Sequence, residues 1–357
     1  MGMSKEEVIK MQIKRVEKEL RDLPHHKGTD HHIGRLRAKL SVLKEKLERP
    51  SPKGGGGSGY AVKKQGDATI VLIGPPSAGK STLINKLSNA QSKVAPYAFT
   101  TLTVIPGMME YKNARLQILD VPGLIEGAGG GKGRGKEVLG VARNSDLIIF
   151  LSDPKRLDFF KKLVKELESV GIRINKTKPL VLINKKINGG LIVHSNIKQD
   201  IDKETIKEVA EEFGIKNAEI TINQKLSMDE LIDSFSKNRV YIKAIYVVNK
   251  SDTLKEIDNK NLDSRILRIS AEKGIGLDKL KEKIWEKLEF VTIYLETRDK
   301  PMVIKNDFTL SKVAEKIGAH FSENVRSAKI WGAGAKFDGQ EVSLNTKVQE
   351  GMIIKFI

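Results

Sequence analysis

Residues 68–90 read ATIVLIGPPSAGKSTLINKLSNA, and the predicted architecture follows from this stretch. Its first part is a continuous apolar run that predicts a buried strand, and its last part predicts a helix. Between them Gly74-Pro-Pro-Ser-Ala-Gly79-Lys80-Ser81 fits the pattern G-x-x-x-x-G-K-[ST], in the strand–loop–helix context that the pattern requires. The backbone N–H groups of such a loop, together with the amino end of the helix, bind phosphate. The chain is therefore predicted to bind a nucleotide.

An alternation of strands and helices continues beyond this stretch. ARLQILD (114–120), DLIIFLSD (146–153) and VYIKAIYVVNK (240–250) read as strands, and LDFFKKLVKELESVG (157–171) reads as a helix. This alternation predicts an α/β fold with a mostly parallel sheet that has helices on both faces. The last two strands lie much further apart than the ~30 residues of a crossover unit. We therefore expect a small α/β insert at about residues 172–238.

Both ends of the chain carry additional segments. Residues 4–22 and 31–48 have apolar side chains at helical spacing and are separated by DLPHHKGTDHH, which predicts a helical hairpin over residues 1–49. RPSPKGGGGSG reads as a flexible linker, placed at 50–66. Residues 291–357 alternate short strands with one helix, SKVAEKIGAHF, and predict a small α+β domain. The nucleotide-binding domain is then 67–290, including the insert.

The composition excludes several classes of protein. The 357 residues contain no cysteine, which excludes disulfide scaffolds, thiolate metal sites and cysteine nucleophiles. No apolar run approaches the ~20 residues of a membrane helix, and the charged start MGMSKEEVIK is unlike a signal peptide. We expect a cytoplasmic protein without a membrane partner. A net charge of +18 suggests an acidic partner such as nucleic acid or a ribonucleoprotein.

The positive charge is unevenly distributed. Residues 1–150 hold 25 basic and 14 acidic side chains, and residues 155–186 hold 10 and 3. Residues 200–233 reverse this balance, with 4 basic and 10 acidic side chains. The hairpin, the linker with the glycine-rich run 127–135, and the start of the insert are therefore predicted to face RNA.

Three further motifs follow the phosphate-binding loop in order. Asp120-Val-Pro-Gly123 ends a strand, where a carboxylate can support Mg²⁺ and the Gly123 N–H can approach a γ-phosphate. Asn249-Lys-Ser-Asp252 follows the strand VYIKAIYVV. Its Asp252 carboxylate can accept bonds from guanine N1–H and the exocyclic amine, which disfavours adenine and hence an ATPase. Ser270-Ala-Glu-Lys273 fits a loop that contacts the guanine carbonyl through backbone groups.

A threonine pair lies between the phosphate-binding loop and Asp120, in Tyr97-Ala-Phe-Thr100-Thr101-Leu. One of these hydroxyls is expected to complete the Mg²⁺ shell and to sense the γ-phosphate. Spacing alone does not choose between Thr100 and Thr101.

The set GPPSAGKS, FTTL, DVPGL, NKSD and SAEK resembles the Obg-related branch of translation-factor GTPases. With the hairpin, the segment IEGAGGGKGRGKEV, the insert and the C-terminal domain, the whole chain resembles the developmentally regulated GTP-binding proteins (DRG) of archaea and eukaryotes. The resemblance implies that the C-terminal domain is a TGS domain of β-grasp fold. It also implies a slow GTPase that associates with the ribosome, rRNA or tRNA and with a dedicated regulatory partner protein. We expect the GTPase to be monomeric.

The motifs and the resemblance together assign the site. Lys80 and Gly123 are expected to act on the phosphates, and the resemblance selects Thr101 over Thr100. Mg²⁺ is assigned to Ser81, Thr101 and, through water, Asp120. The nucleotide contacts, for GTP and GDP, are assigned to Gly74, Pro75, Pro76, Ser77, Ala78, Gly79, Lys80, Ser81, Thr82, Phe99, Thr100, Thr101, Asp120, Gly123, Asn249, Lys250, Asp252, Ser270, Ala271 and Glu272.

The group that activates water is not evident. Leu124 stands where Ras-like GTPases carry the glutamine that orients the attacking water, an apolar replacement shared by the Obg-related branch. Some relatives bind K⁺ through a loop asparagine, but that position is Ser77 here, so a K⁺ site would need other oxygens. The glycine-rich run Gly127–Gly135 predicts a switch segment, in which Arg134 could contact the transition state or RNA.

Other interpretations stay open at this point. The chain could be an RNA-binding scaffold with a structural nucleotide and negligible turnover, which Leu124 permits. It could also be an Obg-like ribosome-assembly factor, although the long glycine-rich N-terminal domain of that family is missing. His25, His26, His31 and His32 could bind a metal, but adjacent histidine pairs in a polar loop are more often solvated.

Overall fold

A computed structural model of the protein describes residues 4–24, 29–48, 64–88, 95–96, 103–120, 140–253, 263–296 and 301–357. The chain divides into two compact units, Met1–Gly57 with Val170–Tyr241 and Ser58–Ser169 with Ile242–Ile357. No helix in these described ranges is both long and apolar enough to span a membrane.

The part of the chain that the structure describes alternates helices and strands, numbered α1–α9 and β1–β16 from the N-terminus. The helices are α1 (Lys5–Asp22), α2 (Asp30–Glu48), α3 (Lys80–Leu87), α4 (Asp158–Ser169), α5 (Lys203–Glu212), α6 (Met228–Phe235), α7 (Leu277–Leu288), α8 (Leu310–Ile317) and α9 (Ala319–Asn324). The strands are β1 (Ala68–Ile73), β2 (Ala95–Pro96), β3 (Thr103–Tyr111), β4 (Ala114–Asp120), β5 (Leu147–Ser152), β6 (Ile172–Ile174), β7 (Val181–Lys185), β8 (Leu191–Ser195), β9 (Ala218–Ile222), β10 (Val240–Val248), β11 (Ile266–Arg268), β12 (Phe290–Leu295), β13 (Met302–Lys305), β14 (Ser327–Trp331), β15 (Gln340–Ser343) and β16 (Ile353–Phe356).

The main sheet has the strand order β11-β10-β5-β1-β4-β3-β2. The pairs β10–β11, β10–β5, β5–β1 and β1–β4 are parallel, whereas β3 runs antiparallel to β4. Every residue of β1 and of β5 is buried, because helices and connecting segments cover both faces. The prediction of an α/β fold with a mostly parallel sheet is confirmed, and the carboxyl ends of five parallel strands share one edge.

A second sheet lies in the C-terminal part of the same unit, with the order β13-β12-β16-β14-β15. Its core includes Ile293, Leu310, Ala328 and Ile330. The expectation of one helix in this domain is wrong in detail, because α8 ends and α9 begins at Gly318, whose backbone is extended.

The other unit combines the N-terminal helices with the insert. α1 and α2 pack through Val16, Leu36 and Leu43, and α1 begins with a capping box in which Ser4 and Glu7 bond reciprocally. The insert has a three-stranded sheet, β7-β9-β8, with α5 and α6 packed on one face. The opposite face leaves Leu182 and Ile192 exposed.

A buried charged cluster lies within this unit. Asp233 accepts hydrogen bonds from Arg173 (2.6 Å) and Arg239 (2.7 Å), and Arg239 also donates to the hydroxyl of Ser41 on α2 at 2.6 Å. The Tyr241 hydroxyl is buried without a hydrogen-bond partner among the described residues. Burial, reinforced by the negative charge of Asp233, raises the pKa of Tyr241 to about 12.

The folded-state pKa of Tyr241 lies above the ~10 of an unfolded tyrosine. Titration of this hydroxyl therefore leaves the free energy of unfolding unchanged below pH ~10 and lowers it as pH rises from there through about 12. We predict that Tyr241→Phe raises the free energy of unfolding at pH 7 by about 1 kcal/mol, because it removes an unpaired buried hydroxyl. The advantage should grow above pH 10. Urea unfolding at pH 7 and above pH 10 measures the difference in free energy of unfolding between Tyr241→Phe and wild type, with exposed Tyr294→Phe as the control. An equal difference at both pH values would contradict the predicted pH dependence.

Candidate nucleotide-binding site

The motif segments meet at the carboxyl edge of the main sheet. The loop of residues 74–79 connects β1 to α3, Asp120 ends β4, and Asn249 and Ser270 follow β10 and β11. In a parallel sheet, ligands bind at this edge because successive loops converge there. Phe99, Thr100, Thr101, Gly123, Leu124 and the run 127–135 lie outside the described residues, so their assigned roles stay predictions.

Two glycines let the phosphate-binding loop approach its neighbours. A side chain at Gly74 would place its Cβ 2.2 Å from the Leu151 carbonyl oxygen on β5. Gly79 has φ +90°, and a Cβ there would lie 2.2 Å from Nδ2 of Asn249. Both positions therefore require glycine, one for packing against the sheet and one also for a left-handed backbone.

The Lys80 ammonium donates back into its own loop. Its Nζ lies 3.2 Å from the carbonyl oxygen of Gly74 and 3.3 Å from that of Pro75. The side chain thus arches over the loop, where a lysine of this motif meets phosphate oxygens.

Asn249 joins the phosphate-binding loop to the loop after β11. Its Nδ2 donates to the Ala78 carbonyl and its Oδ1 accepts from the Ala271 N–H, both at 2.9 Å. The residue is 3% exposed. Both polar atoms of this amide therefore bridge two loops, and the predicted contact of Asn249 with the nucleotide stays a prediction.

The lysine that follows also contacts the phosphate-binding loop. Nζ of Lys250 donates to the Ser77 carbonyl at 2.9 Å. Both residues have positive φ, 59° for Lys250 and 61° for Ser77, which is uncommon for residues other than glycine. Two strained backbones are thus joined by one hydrogen bond, as is common where a loop is shaped for a ligand.

Asp252 lies beside the loop after β11. Its carboxylate is 20% exposed and pairs with the Lys273 ammonium at 3.3 Å. The hydroxyl of Ser270, with Lys273, holds the pKa of Asp252 below its ordinary value. The carboxylate is therefore ionised and can accept two hydrogen bonds from a ligand.

Asp120 and Ser81 fit a magnesium site. The Ser81 hydroxyl lies 3.4 Å from Oδ2 of Asp120, which is 6% exposed, and Oδ1 of Asp120 is buried with no partner in the described ranges. Burial raises the pKa of Asp120, although the charge of Lys80 and the Ser81 hydroxyl oppose the effect. A buried carboxylate oxygen without a partner, next to a hydroxyl, suits Mg²⁺, which prefers oxygen ligands.

The histidines that could bind a metal, His31 and His32 among the described residues, each lie beside a glutamate on a different element. His31 lies 3.4 Å from Glu208 and His32 lies 3.2 Å from Glu19, whereas His25 and His26 are outside the described residues. Within the described ranges no group of three or more His, Asp or Glu side chains is arranged to hold a metal.

Two residues at this edge were missed by the sequence analysis. Arg156 donates to the carbonyl oxygen of Pro76 at 3.0 Å and forms an ion pair with Asp153. They belong to the segment Asp153-Pro-Lys-Arg156, which directly follows β5. A charged turn at the carboxyl end of a parallel strand is the signal that could have identified them.

The fold and this edge define the class of protein as a P-loop GTPase. A family profile described as a 50S ribosome-binding GTPase matches residues 69–186, and one described as the C-terminal region of that domain matches residues 188–290. An uncharacterized GTP-binding protein of Methanocaldococcus jannaschii is 45% identical, with 98% of this chain and 93% of that protein covered. Developmentally-regulated GTP-binding protein 2 of Homo sapiens is 36% identical, with 97% and 98% covered.

The chain belongs to the family of developmentally regulated GTP-binding proteins, and it is a GTPase, as predicted. Sequence identity to the solved structures is lower than to these relatives. The YchF GTPase of Schizosaccharomyces pombe aligns with a TM-score of 0.47 and 13% identity, covering 83% of this chain and 99% of that one.

We predict that Asn249→Ala lowers the free energy of unfolding by about 2 kcal/mol, because it leaves the buried Ala78 carbonyl and Ala271 N–H unpaired. GDP affinity should fall with it, since the two loops are no longer joined. Urea unfolding and titration with a fluorescent GDP measure both. Exposed Asn144→Ala, which loses only a local bond to Gly140, should change stability by less than about 0.5 kcal/mol. Equal effects of the two variants would contradict the bridging role.

Proposed function

We propose that this GTPase hydrolyses GTP to GDP with Mg²⁺ and acts as a ribosome-associated switch in translation. The observation that carries the nucleotide part is the buried Asn249 amide, which joins the phosphate-binding loop to the loop after β11. This bridge supports a single ligand with phosphates at one end and a base at the other.

Each residue has a proposed role. Lys80, which now bonds to its own loop, would turn to the β- and γ-phosphates, and Ser81 with Thr101 would ligate Mg²⁺ while Asp120 supports it through water. The ion, when bound, supplies positive charge that neutralises the phosphate oxygens. Asp252 would accept the guanine donors, and the backbone of Ser270, Ala271 and Glu272 would contact the guanine carbonyl.

The phosphate end can be tested through Lys80. We predict that Lys80→Ala reduces single-turnover GTP hydrolysis with Mg²⁺ and K⁺ by about 100-fold or more, because a charged donor to the transferring phosphate is lost. Lys86→Ala, on the exposed face of α3, should leave the rate unchanged. Equal rates for wild type and Lys80→Ala would instead favour the second candidate function, an RNA-binding scaffold with a structural nucleotide, which Leu124 permits.

The ribosome association rests on the family profile's description and on charge. Lys176, Lys178, Lys185 and Lys186 lie in the basic first part of the insert, and all are exposed. Lys186 pairs with Glu219 at 2.9 Å. Basic side chains around an open sheet support rRNA or tRNA as the partner, since phosphate contacts dominate such binding.

Charge reversal tests this surface. Changing Lys176, Lys178, Lys185 and Lys186 to Glu should weaken ribosome binding at least about tenfold at low salt and flatten its salt dependence. The matched control reverses Lys203, Lys207, Lys216 and Lys225, the four lysines of the acidic stretch 200–233. Co-sedimentation with ribosomes across a salt series measures both. Unchanged binding of the first variant would contradict this surface and leave the GTPase assignment standing.

The modular division is also proposed. We assign residues 1–49 to a helical hairpin, 50–66 to a linker, 67–290 to the GTPase domain with its insert, and 291–357 to a TGS domain. The packing of α1 on α2 and the five-stranded C-terminal sheet support this division. The appended modules would report the nucleotide state to the ribosome and to a dedicated partner protein in the cytoplasm.

A further inference from the structure

The turn after β5 has a defined local structure. The hydroxyl of Ser152, a fully buried residue, donates to the Arg156 carbonyl at 2.9 Å. The Asp153 carboxylate accepts from the Lys155 N–H at 3.0 Å, and the Arg156 N–H donates to the Asp153 carbonyl at 3.2 Å. These hydrogen bonds fix the backbone of the turn at Arg156 and therefore the position of its Cα.

The Arg156 guanidinium is held at two points. Its Nε donates to Oδ2 of Asp153 at 2.8 Å, and Nη2 contacts the same oxygen. Nη2 also donates to the Pro76 carbonyl at 3.0 Å, across a separation of 80 residues in sequence. The planar fork of an arginine permits this double contact, whereas a lysine offers a single point charge.

Asp153 is well placed to anchor this cation. It is 9% exposed. Burial favours its neutral form, but hydrogen bonds from Arg156 and the Lys155 N–H, with the charges of Arg156 and Lys250, hold its pKa below the ordinary value. The ionised carboxylate lies near two of the three cations that donate to the phosphate-binding loop, Arg156 to Pro76 and Lys250 to Ser77; the third is Lys80.

We infer that Arg156, held by Asp153, is a positioning residue for the phosphates of the nucleotide: it anchors the phosphate-binding loop at Pro76 so that the N–H of Ser77 faces the ligand. The inference rests on the proposed nucleotide site and adds a residue that no motif of this chain includes. Arg156 contacts the loop through a backbone carbonyl oxygen, that of Pro76. In a trans peptide the following N–H points away from that carbonyl, so anchoring the oxygen orients the donor.

The consequence differs between ligands. The loop N–H groups and Lys80 bind the phosphate chain, whereas Asp252 and the loop after β11 face the base. Removal of Arg156 should therefore weaken the binding of nucleotides that carry a β-phosphate and leave the preference for guanine unchanged.

The experiment measures affinities of the full chain for GTP, GDP and GMP with Mg²⁺, by displacement of a fluorescent GDP. Arg156→Ala should weaken GTP and GDP about tenfold, the size expected for one hydrogen bond from a charged group. GMP, which lacks the β-phosphate, should weaken by less than about twofold. Arg156→Lys should give an intermediate loss, because the charge remains but the fork does not. At saturating GTP the single-turnover rate should stay within about twofold, since a positioning residue does not act on the reacting phosphate.

The matched control is Arg265→Ala. Arg265 also pairs with a nearby aspartate, Asp263, at 2.6 Å, but it precedes β11 at the opposite edge of the sheet. It should leave all three affinities unchanged. Arg156→Ala with unchanged GDP affinity would overturn the inference, as would an equal loss for GTP, GDP and GMP, which indicates general damage. A loss of hydrolysis rate with intact affinity would also overturn it. Absence of GDP binding by the wild-type chain would overturn the proposed function and the inference with it.

Discussion

The site depends on how the carbonyl oxygens of the phosphate-binding loop are held. The five consecutive carbonyls of residues 74–78 all accept hydrogen bonds from side chains: Lys80, Arg156, Lys250 and Asn249. Because a trans peptide directs its N–H opposite to its C=O, the held carbonyls of Pro76 and Ala78 fix the direction of the Ser77 and Gly79 N–H groups. The Gly74 and Pro75 carbonyls precede prolines, which have no N–H, and the Ala78 N–H donates to the Pro75 carbonyl at 3.3 Å. An anion-binding concavity is thereby shaped before the ligand arrives, which reduces the ordering that binding requires.

The donors reach the loop because the sheet brings their strands together. β5 lies between β1 and β10, all three parallel, so the turn after β5 and the segment after β10 flank the loop after β1. β1 and β5 are fully buried, and Gly74 has no room for a side chain against Leu151. A core substitution that moved β5 would therefore be expected to disturb the loop as well.

Sequence patterns predicted the regular parts well and some local parts poorly. The buried strand β1 and the helix α4 follow from apolar runs and helical spacing. The short strand β9, AEITI, was not predicted although it is the central strand of the insert, because five residues with one buried face give little signal until β7 and β8 pair with them. Likewise α8 and α9 read as one helix, since nothing in SKVAEKIGAHF except Gly318 indicates the break.

The sequence by itself determined the chemistry of the site. The spacing of Gly74, Gly79, Lys80 and Ser81, followed in order by Asp120, Asn249 and Asp252, is local and can be recognised without coordinates. Only the tertiary structure decided which groups hold that site in shape. It assigned Asn249 to a bridge between two loops and brought Arg156 to the carbonyl of Pro76. The reason is physical: a motif is a property of neighbouring residues, whereas these contacts join segments about 80 and about 170 residues apart, and they exist only once β5 and β10 pair beside β1.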